Sequence, residues 1–317
     1  MATRRSNPSQ KRRRVNNVVI FLVVFILFLV VFGLVCLWAV LKLNEEHRQQ
    51  SGSNTASQGS LSTVQYTEAD ARNLFLVTVD GSEPAGFVVL RTDPANVRIR
   101  TMALPVETEL ADGTTLTTLK AYYQEKGAKE SAAAVGSLLG LDFQNYAVIT
   151  YANLEKMMGY FGNGVIFDIP ENLSYQDTGT GYFIEMDGGR RTLTAPQMLN
   201  VLRYPQWNGG RRQTAEIQAQ MVAAILNQYL VPARAAKLDA DFSQFVNLVQ
   251  HSDMRRSDFV AAQEGIAYLL SRNTEGHLCS TISAPGEFVG GGDDLRFCLV
   301  EDVEPQLRSS LGIYAVP

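Results

Sequence analysis

The hydrophobic positions of this chain follow three different patterns. From Val18 to Leu41 there are 24 consecutive uncharged, mostly apolar residues, a length of about 36 Å as a helix. About 20 residues are enough to cross the hydrocarbon core of a bilayer, so this segment is expected to be a transmembrane helix. A cleaved signal peptide would have a shorter apolar region ending in a small-x-small site. From Gln49 to Gln65 the chain turns to uncharged Ser, Gly, Gln, Thr and Asn, the composition of a flexible spacer.

Beyond Asn73 short apolar runs alternate with helical periodicity. Leu74–Val79, Gly86–Thr92 and Val97–Leu104 read as strands, the last two joined by a turn at Asp93-Pro94-Ala95-Asn96. Thr117–Leu139 reads as a helix in two parts, broken at Gly127 and stopped at Gly140. Strands are expected at 146–150 and 165–169, and helices at 153–161, 194–202, 214–230, 241–249 and 256–271. In the 214–230 helix, Ile217, Met221, Ala224, Ile225 and Tyr229 share one face. Thr281–Val300 reads as a hairpin around Gly290-Gly291-Gly292. The alternation predicts an α/β (α+β) domain, helices over a mixed central sheet. The expected organisation is a tail (1–17), a span (18–41), a linker (42–66), a main domain (67–235) and a C-terminal stretch (236–317) completing that domain.

Charge orients this arrangement. Residues 1–16 carry Arg4, Arg5, Lys11, Arg12, Arg13 and Arg14 with no acid, which by the positive-inside rule places the N-terminus in the cytoplasm and the domain outside. Without those six, 22 basic groups face 32 acidic ones, a net of −10. An acidic domain argues against nucleic acid as the partner. With 46% hydrophobic and 19% charged residues, the chain can bury a core. Cys279 and Cys298 would lie in an oxidising compartment and are the candidate disulfide pair.

Familiar catalytic signatures are missing: there is no G-x-S-x-G, P-loop, H-E-x-x-H or C-x-x-C. His47, His251 and His277 cannot furnish a histidine metal cage, because His47 adjoins the span. Arg190-Arg191 and Arg211-Arg212 each follow a Gly-Gly pair. Arginine forks suit phosphate, although on composition alone a solvated loop explains such pairs more simply.

From Asn73 to Leu230 the order of segments resembles the LytR-CpsA-Psr family. The strand ending in Asp80 is similar to the family's opening strand. Thr92-Asp93-Pro94 and Thr101–Thr108 follow the spacing of its hairpin and proline-arginine-aspartate-threonine segment. Gly140–Tyr146, Asn163–Pro170 and Leu193–Leu199 with Arg203 resemble later segments, and Gln218 falls where the family has an arginine-glutamine pair opening a long helix. The resemblance implies a membrane-anchored, extracytoplasmic enzyme of mainly Gram-positive bacteria. Such an enzyme moves glycopolymers from polyprenyl pyrophosphate to peptidoglycan, and Mg2+ would be its cofactor if it is active.

The departures from the pattern fall on the implied chemistry. The acid before the second strand is Ala85, and the arginine after the proline is Val106, followed by Glu107 in place of aspartate. Pro205, Arg211, Thr214 and Ile217 replace further charged positions. The candidate ligand-binding residues are therefore Asp80, Glu107, Arg203, Arg211, Arg212 and Gln218, with Ile217, Met221 and Ile225 expected along an apolar groove for the lipid. The leading expectation is a membrane-bound envelope protein that holds polyprenyl (pyro)phosphate or envelope glycan at a degenerate transferase site. The alternatives are a working transferase with a rearranged site and a non-catalytic interaction scaffold.

Overall fold

The computed structural model of the protein describes residues 65–311 and 313, apart from 163 and 274. The expected tail, span and almost all of the linker lie outside the described residues, among which no helix is long and apolar enough to cross a membrane. The described residues belong to one compact unit, Val64–Pro317.

The opening strands are β1 (Arg72–Asp80), β2 (Glu83–Asp93) and β3 (Arg98–Leu104). Next come the short pair β4 (Glu109–Asp112) and β5 (Thr115–Thr118), helix α1 (Leu119–Leu139), β6 (Asn145–Thr150) and α2 (Tyr151–Phe161). A run of small strands follows: β7 (Val165–Ile169), β8 (Leu173–Asp177), β9 (Tyr182–Met186) and β10 (Gly189–Leu193). Helices α3 (Ala195–Arg203), α4 (Gly210–Tyr229) and α5 (Leu238–Phe245) lead to β11 (His251–Ser252) and α6 (Arg256–Arg272). The chain closes with β12 (Cys279–Thr281), β13 (Gly286–Val289), β14 (Arg296–Leu299) and α7 (Val303–Leu311).

Six strands form the central mixed sheet in the order β11-β6-β1-β2-β3-β12. The pairs β1–β2 and β2–β3 are antiparallel, whereas β6 runs parallel to β1 and β12 parallel to β3. Side chains alternate across a strand, which explains the two layers. Phe75, Val77, Val79, Phe87, Val89, Met102 and Leu104 point to one face and meet Val135 and Leu139 of α1 and Leu307 of α7. Val88 and Ala103 point to the other face, where Ala215 and Ala219 of α4 pack, with Leu76 against them. Because both faces are covered, β1 is apolar along most of its length.

Local chemistry sets the helix limits. Thr118, Thr150 and Thr194 cap α1, α2 and α3, each side-chain oxygen accepting from a backbone N–H in the first turn. Gly127, at φ 84°, breaks α1 at the expected place, and Gly140, at φ 64°, ends it in the left-handed region.

Two expectations are corrected here. The C-terminal hairpin is β13–β14, so Cys279 precedes it and lies instead on the edge strand of the central sheet. There Asn227 grips its backbone at both N–H (2.7 Å) and carbonyl (2.8 Å). Cys298 sits in β14, and both cysteines are free thiols. The second correction concerns the groove. Ile217 and Met221 are each 1% exposed, in a core cluster with Tyr151, Met158, Phe167, Leu199 and Trp207, and Ile225 packs against it. Large side chains from α2, α3 and β7 fill the space next to α4, leaving a solid core where a groove wall was expected.

Candidate functional site

At the carboxyl end of β1 two cavities share Ala85 in their walls. The larger, of about 700 Å³, is lined by Asp80, Tyr151, Thr180–Phe183, Asn200, Leu202 and Arg203. The smaller, of about 210 Å³, is bounded by Val106, Glu107, Lys120, Arg211, Thr214 and Gln218 among others.

Ala85 owes its place to a β-bulge. Thr78 pairs with Gly86 and Val79 with Pro84, so Ala85 is the extra residue in β2. A bulge re-aims the side chain it displaces, and this one brings a methyl group to the point where the family resemblance implies an acid. Gly86 beside it is fixed by space. A Cβ there would come within 2.9 Å of both Gln218 Oε1 and Thr78 Oγ1, closer than real contacts allow.

Asp80 ends β1 ahead of the Gly81 turn, at φ 63°, and meets Arg203 from the last turn of α3. Arg203 donates through Nε to Oδ2 (2.6 Å) and through Nη2 to Oδ1 (2.7 Å), a two-pronged ion pair. The guanidinium also lies 5.3 Å from the centre of the Tyr151 ring. Hydrogen bonding to Asp80 is the main influence favouring its charged form. Tyr151 receives a hydrogen bond on its hydroxyl from Gln218 Nε2 (3.0 Å). Burial pushes its phenol up to about 12, so it stays neutral.

Across Ala85 the contacts are looser. Arg211, in the first turn of α4 rather than in a loop, lies 3.4 Å from Glu107 and has a side chain 61% exposed. Lys120 pairs with Glu83 at 2.8 Å. The structure thus gathers Asp80, Arg203, Glu107, Arg211 and Gln218 around one bulge. It does not bring Arg212 there. That residue donates to the Ala284 and Gly286 carbonyls and lies over the Phe297 ring, tying the C-terminal segment to α4. Arg190 and Arg191 stand on strand β10 opposite Asp168 and Phe167, not in a loop.

The sequence reading missed Lys120, Tyr151, Tyr182, Phe183 and Asn200. Tyr151 directly follows β6, and the carboxyl ends of sheet strands are where α/β folds gather sites. In the β8–β10 segment the only apolar run is the brief Tyr182-Phe183-Ile184, which carries no such mark.

Mg2+ needs hard oxygen donors, commonly one or two carboxylates. In the larger cavity Asp80 is the sole carboxylate, and both its oxygens are taken by Arg203. Among the described residues no group of three Asp, Glu, His or Cys side chains could hold a metal. These residues do not fit the ion.

Comparison with known proteins places this geometry. The profile of the LytR_cpsA_psr family matches residues 44–277. No curated protein matches by sequence. Among solved structures, a Eubacterium siraeum protein labelled a transcription regulator superposes with a TM-score of 0.71 at 17% identity, covering 83% of this chain and 99% of its own. Bacillus subtilis TagV gives a TM-score of 0.62 at 17% identity, over 79% of this chain and all of TagV. TagT bound to LIIa-WTA gives 0.58 at 12% identity, over 81% of this chain and 96% of TagT. At these identities the superpositions speak for the fold. The family match spans well over half of the sequence, and the chain belongs to the LytR-CpsA-Psr family.

Proposed function

We propose that this protein is a membrane-anchored, extracytoplasmic member of its family. In this reading it holds a polyprenyl pyrophosphate-linked envelope glycan without transferring it efficiently. The carrying observation is the bulge at Ala85, flanked by the Asp80–Arg203 and Glu107–Arg211 pairs.

A pyrophosphate needs several fixed donors. Among the described residues Arg203 Nη1 has no hydrogen-bond partner, while Nε and Nη2 engage Asp80. The Arg211–Glu107 contact is long and exposed. Such pairs contribute about 0–1 kcal/mol, so Arg211 can turn from Glu107 to a phosphate at little cost. General-base catalysis needs an uncommitted carboxylate beside the attacking hydroxyl. Ala85 offers none, and Asp80 is bound by Arg203.

The lipid tail finds an apolar site elsewhere than first expected. A cavity of about 370 Å³ is lined by Leu74 and Leu90 of the sheet and by Phe259, Ala262 and Ile266 of α6. Leu74 stands six residues before Asp80 on β1, so this cavity lies about 20 Å along the strand from the charged end. The bound state of TagT, a structural neighbour, is in keeping with a glycopolymer ligand.

The test combines native mass spectrometry with a transfer assay on the full chain in detergent. A polyprenyl pyrophosphate species should co-purify, and transfer should fall far below that of an active family member. Loss of a placed base costs about 10²–10⁴ in rate, and loss of a charge-stabilising donor about 10²–10³. Turnover within tenfold of the active control would show a working transferase. Protease added to wall-stripped cells should digest the chain beyond about residue 50, and protection of the domain would reverse the orientation.

A further inference from the structure

A cavity of about 590 Å³ opens between the C-terminal half of α1 and the start of β6. Asn145 of β6 pairs with Leu74 of β1, so this cavity lies at the other end of the sheet from Asp80, about 20 Å along the strand. Its wall on α1 includes Ala133, Gly136 and Ser137, side chains small enough to leave room for a guest main chain. Phe143 forms the floor and is held against Phe75, ring centres 5.4 Å apart. The wall on β6 is fastened at Tyr146, whose N–H donates to Asp253 (2.9 Å) and whose carbonyl accepts from Ser252 (2.8 Å).

The charges of this cavity are unused. Lys129 and Asp142 line it and are both exposed, and among the described residues neither side chain has a hydrogen-bond or ionic partner. Lys120 and Lys126 of the same helix, by contrast, pair with Glu83 and with Asp112 and Glu125. The hydroxyls of Ser137 and Tyr146 are likewise without partners among the described residues. Lys129 stands near one end and Asp142 just past the other, beyond Gly140. From Lys129 to Gly140 the helix rises about 16 Å, a length that about five residues of extended chain would cover.

We propose that this cavity binds a short extended peptide, its ammonium end at Asp142 and Asp253 and its carboxylate end at Lys129. Opposite charges at separate ends call for a guest that carries both. A phosphate-bearing polymer brings only negative charge and is repelled by Asp142 and Asp253. A lipid tail would cover the Ser137 and Tyr146 hydroxyls without bonding them, which costs free energy. A peptide main chain supplies both N–H and C=O groups for those hydroxyls, and the small side chains of α1 let it approach. The site is independent of the phosphate reading at the far end of β1.

The experiment uses the full chain in detergent and reads binding by saturation-transfer NMR. The probes are alanine-glycine oligopeptides of graded length with free ends, and the same peptides acetylated at the amino end or amidated at the carboxyl end. Affinity should peak at about five residues. Amidation should weaken binding about threefold to fivefold, the scale of an exposed ion pair, and that loss should vanish in Lys129→Ala. Acetylation should weaken binding similarly, and that loss should shrink in Asp142→Ala. Ala133→Trp, which fills the cavity from an exposed helix position, should abolish binding. The melting temperatures of all three variants should match wild type, which separates lost binding from lost folding; if Ala133→Trp melts lower, the two charge comparisons decide. Pyrophosphate binding, followed by calorimetry, should be unchanged in all three. If no peptide binds, or if peptides blocked at both ends bind as well as free ones, the peptide site is wrong. If peptides bind while pyrophosphate does not, the phosphate reading fails and the peptide site stands.

Discussion

Ile217→Ala tests whether α4 borders a lipid groove or a packed core. Ile217 is 1% exposed among Tyr151, Phe167, Leu199 and Trp207. The substitution deletes three carbons, worth about 2.4 kcal/mol at about 0.8 kcal/mol per buried group. The surrounding side chains are held by α2, α3 and β7 and cannot collapse fully, so a cavity term takes the total to about 3–4 kcal/mol. Domains are stable by only about 5–15 kcal/mol, making this a large share. For a domain of this size it corresponds to a fall in melting temperature of about 10 °C. Ile225→Ala, at the half-buried edge of the same cluster, should cost about 1–2 kcal/mol. Urea titration followed by circular dichroism gives the values directly, and an unchanged m-value would show that the unfolded state is unaffected. A cost below about 1 kcal/mol for Ile217→Ala, together with lost stabilisation by added polyprenyl phosphate, would refute the packed-core description. The lipid would then run along α4 after all.

Three further outcomes follow from the same geometry. Burial raises the Cys279 thiol to about 12, so at pH 8 iodoacetamide should leave it unmodified in the native protein. Mass spectrometry of the domain should show labelling at Cys298 alone, and at both cysteines after denaturation; an intact disulfide without reductant would contradict the free thiols. Tyr151 titrates near 10 when unfolded and near 12 when folded, so its neutral phenol contributes stability fully below pH 10 that is lost as pH rises toward 12. Wild type should thus lose stability faster than Tyr151→Phe over that window, and parallel curves would count against a buried phenol. Arg212→Ala removes two hydrogen bonds to carbonyls and the contact with Phe297; it should cost about 2 kcal/mol while leaving pyrophosphate binding intact, and calorimetry showing lost binding would return Arg212 to the site.

Much of the central sheet was legible because its residues speak through local rules. The runs in β1, β2 and β3 gave strands, Gly127 and Gly140 marked the break and end of α1, and the family resemblance drew attention to Asp80 and Arg203 separately, without showing that they meet. What stayed hidden depended on partners distant in sequence. The helical face of Ile217, Met221 and Ile225 shows that α4 buries one side, but periodicity is blind to whether cavity or side chains lie opposite. Arg211 and Arg212 look alike in sequence, yet adjacent helix positions point about 100° apart, sending one toward Glu107 and the other toward Phe297. The hairpin β8–β9 has only the brief apolar run Tyr182-Phe183-Ile184, and Cys279 lies on the central sheet because β12 returns to pair with β3.

The position of β1 has a mechanical consequence. It is an interior strand, bonded to β2 on one side and to β6 on the other. Arg91 of β2 fastens its entry by pairing with Glu68 and donating to Asn73 Oδ1 at 3.0 Å. Tension applied to the chain ahead of residue 65 pulls β1 lengthwise. Its two hydrogen-bonded ladders then carry the load together in shear, rather than opening one rung at a time. A pull between the chain ahead of β1 and the rest of the sheet is therefore resisted by the β2 and β6 ladders at once.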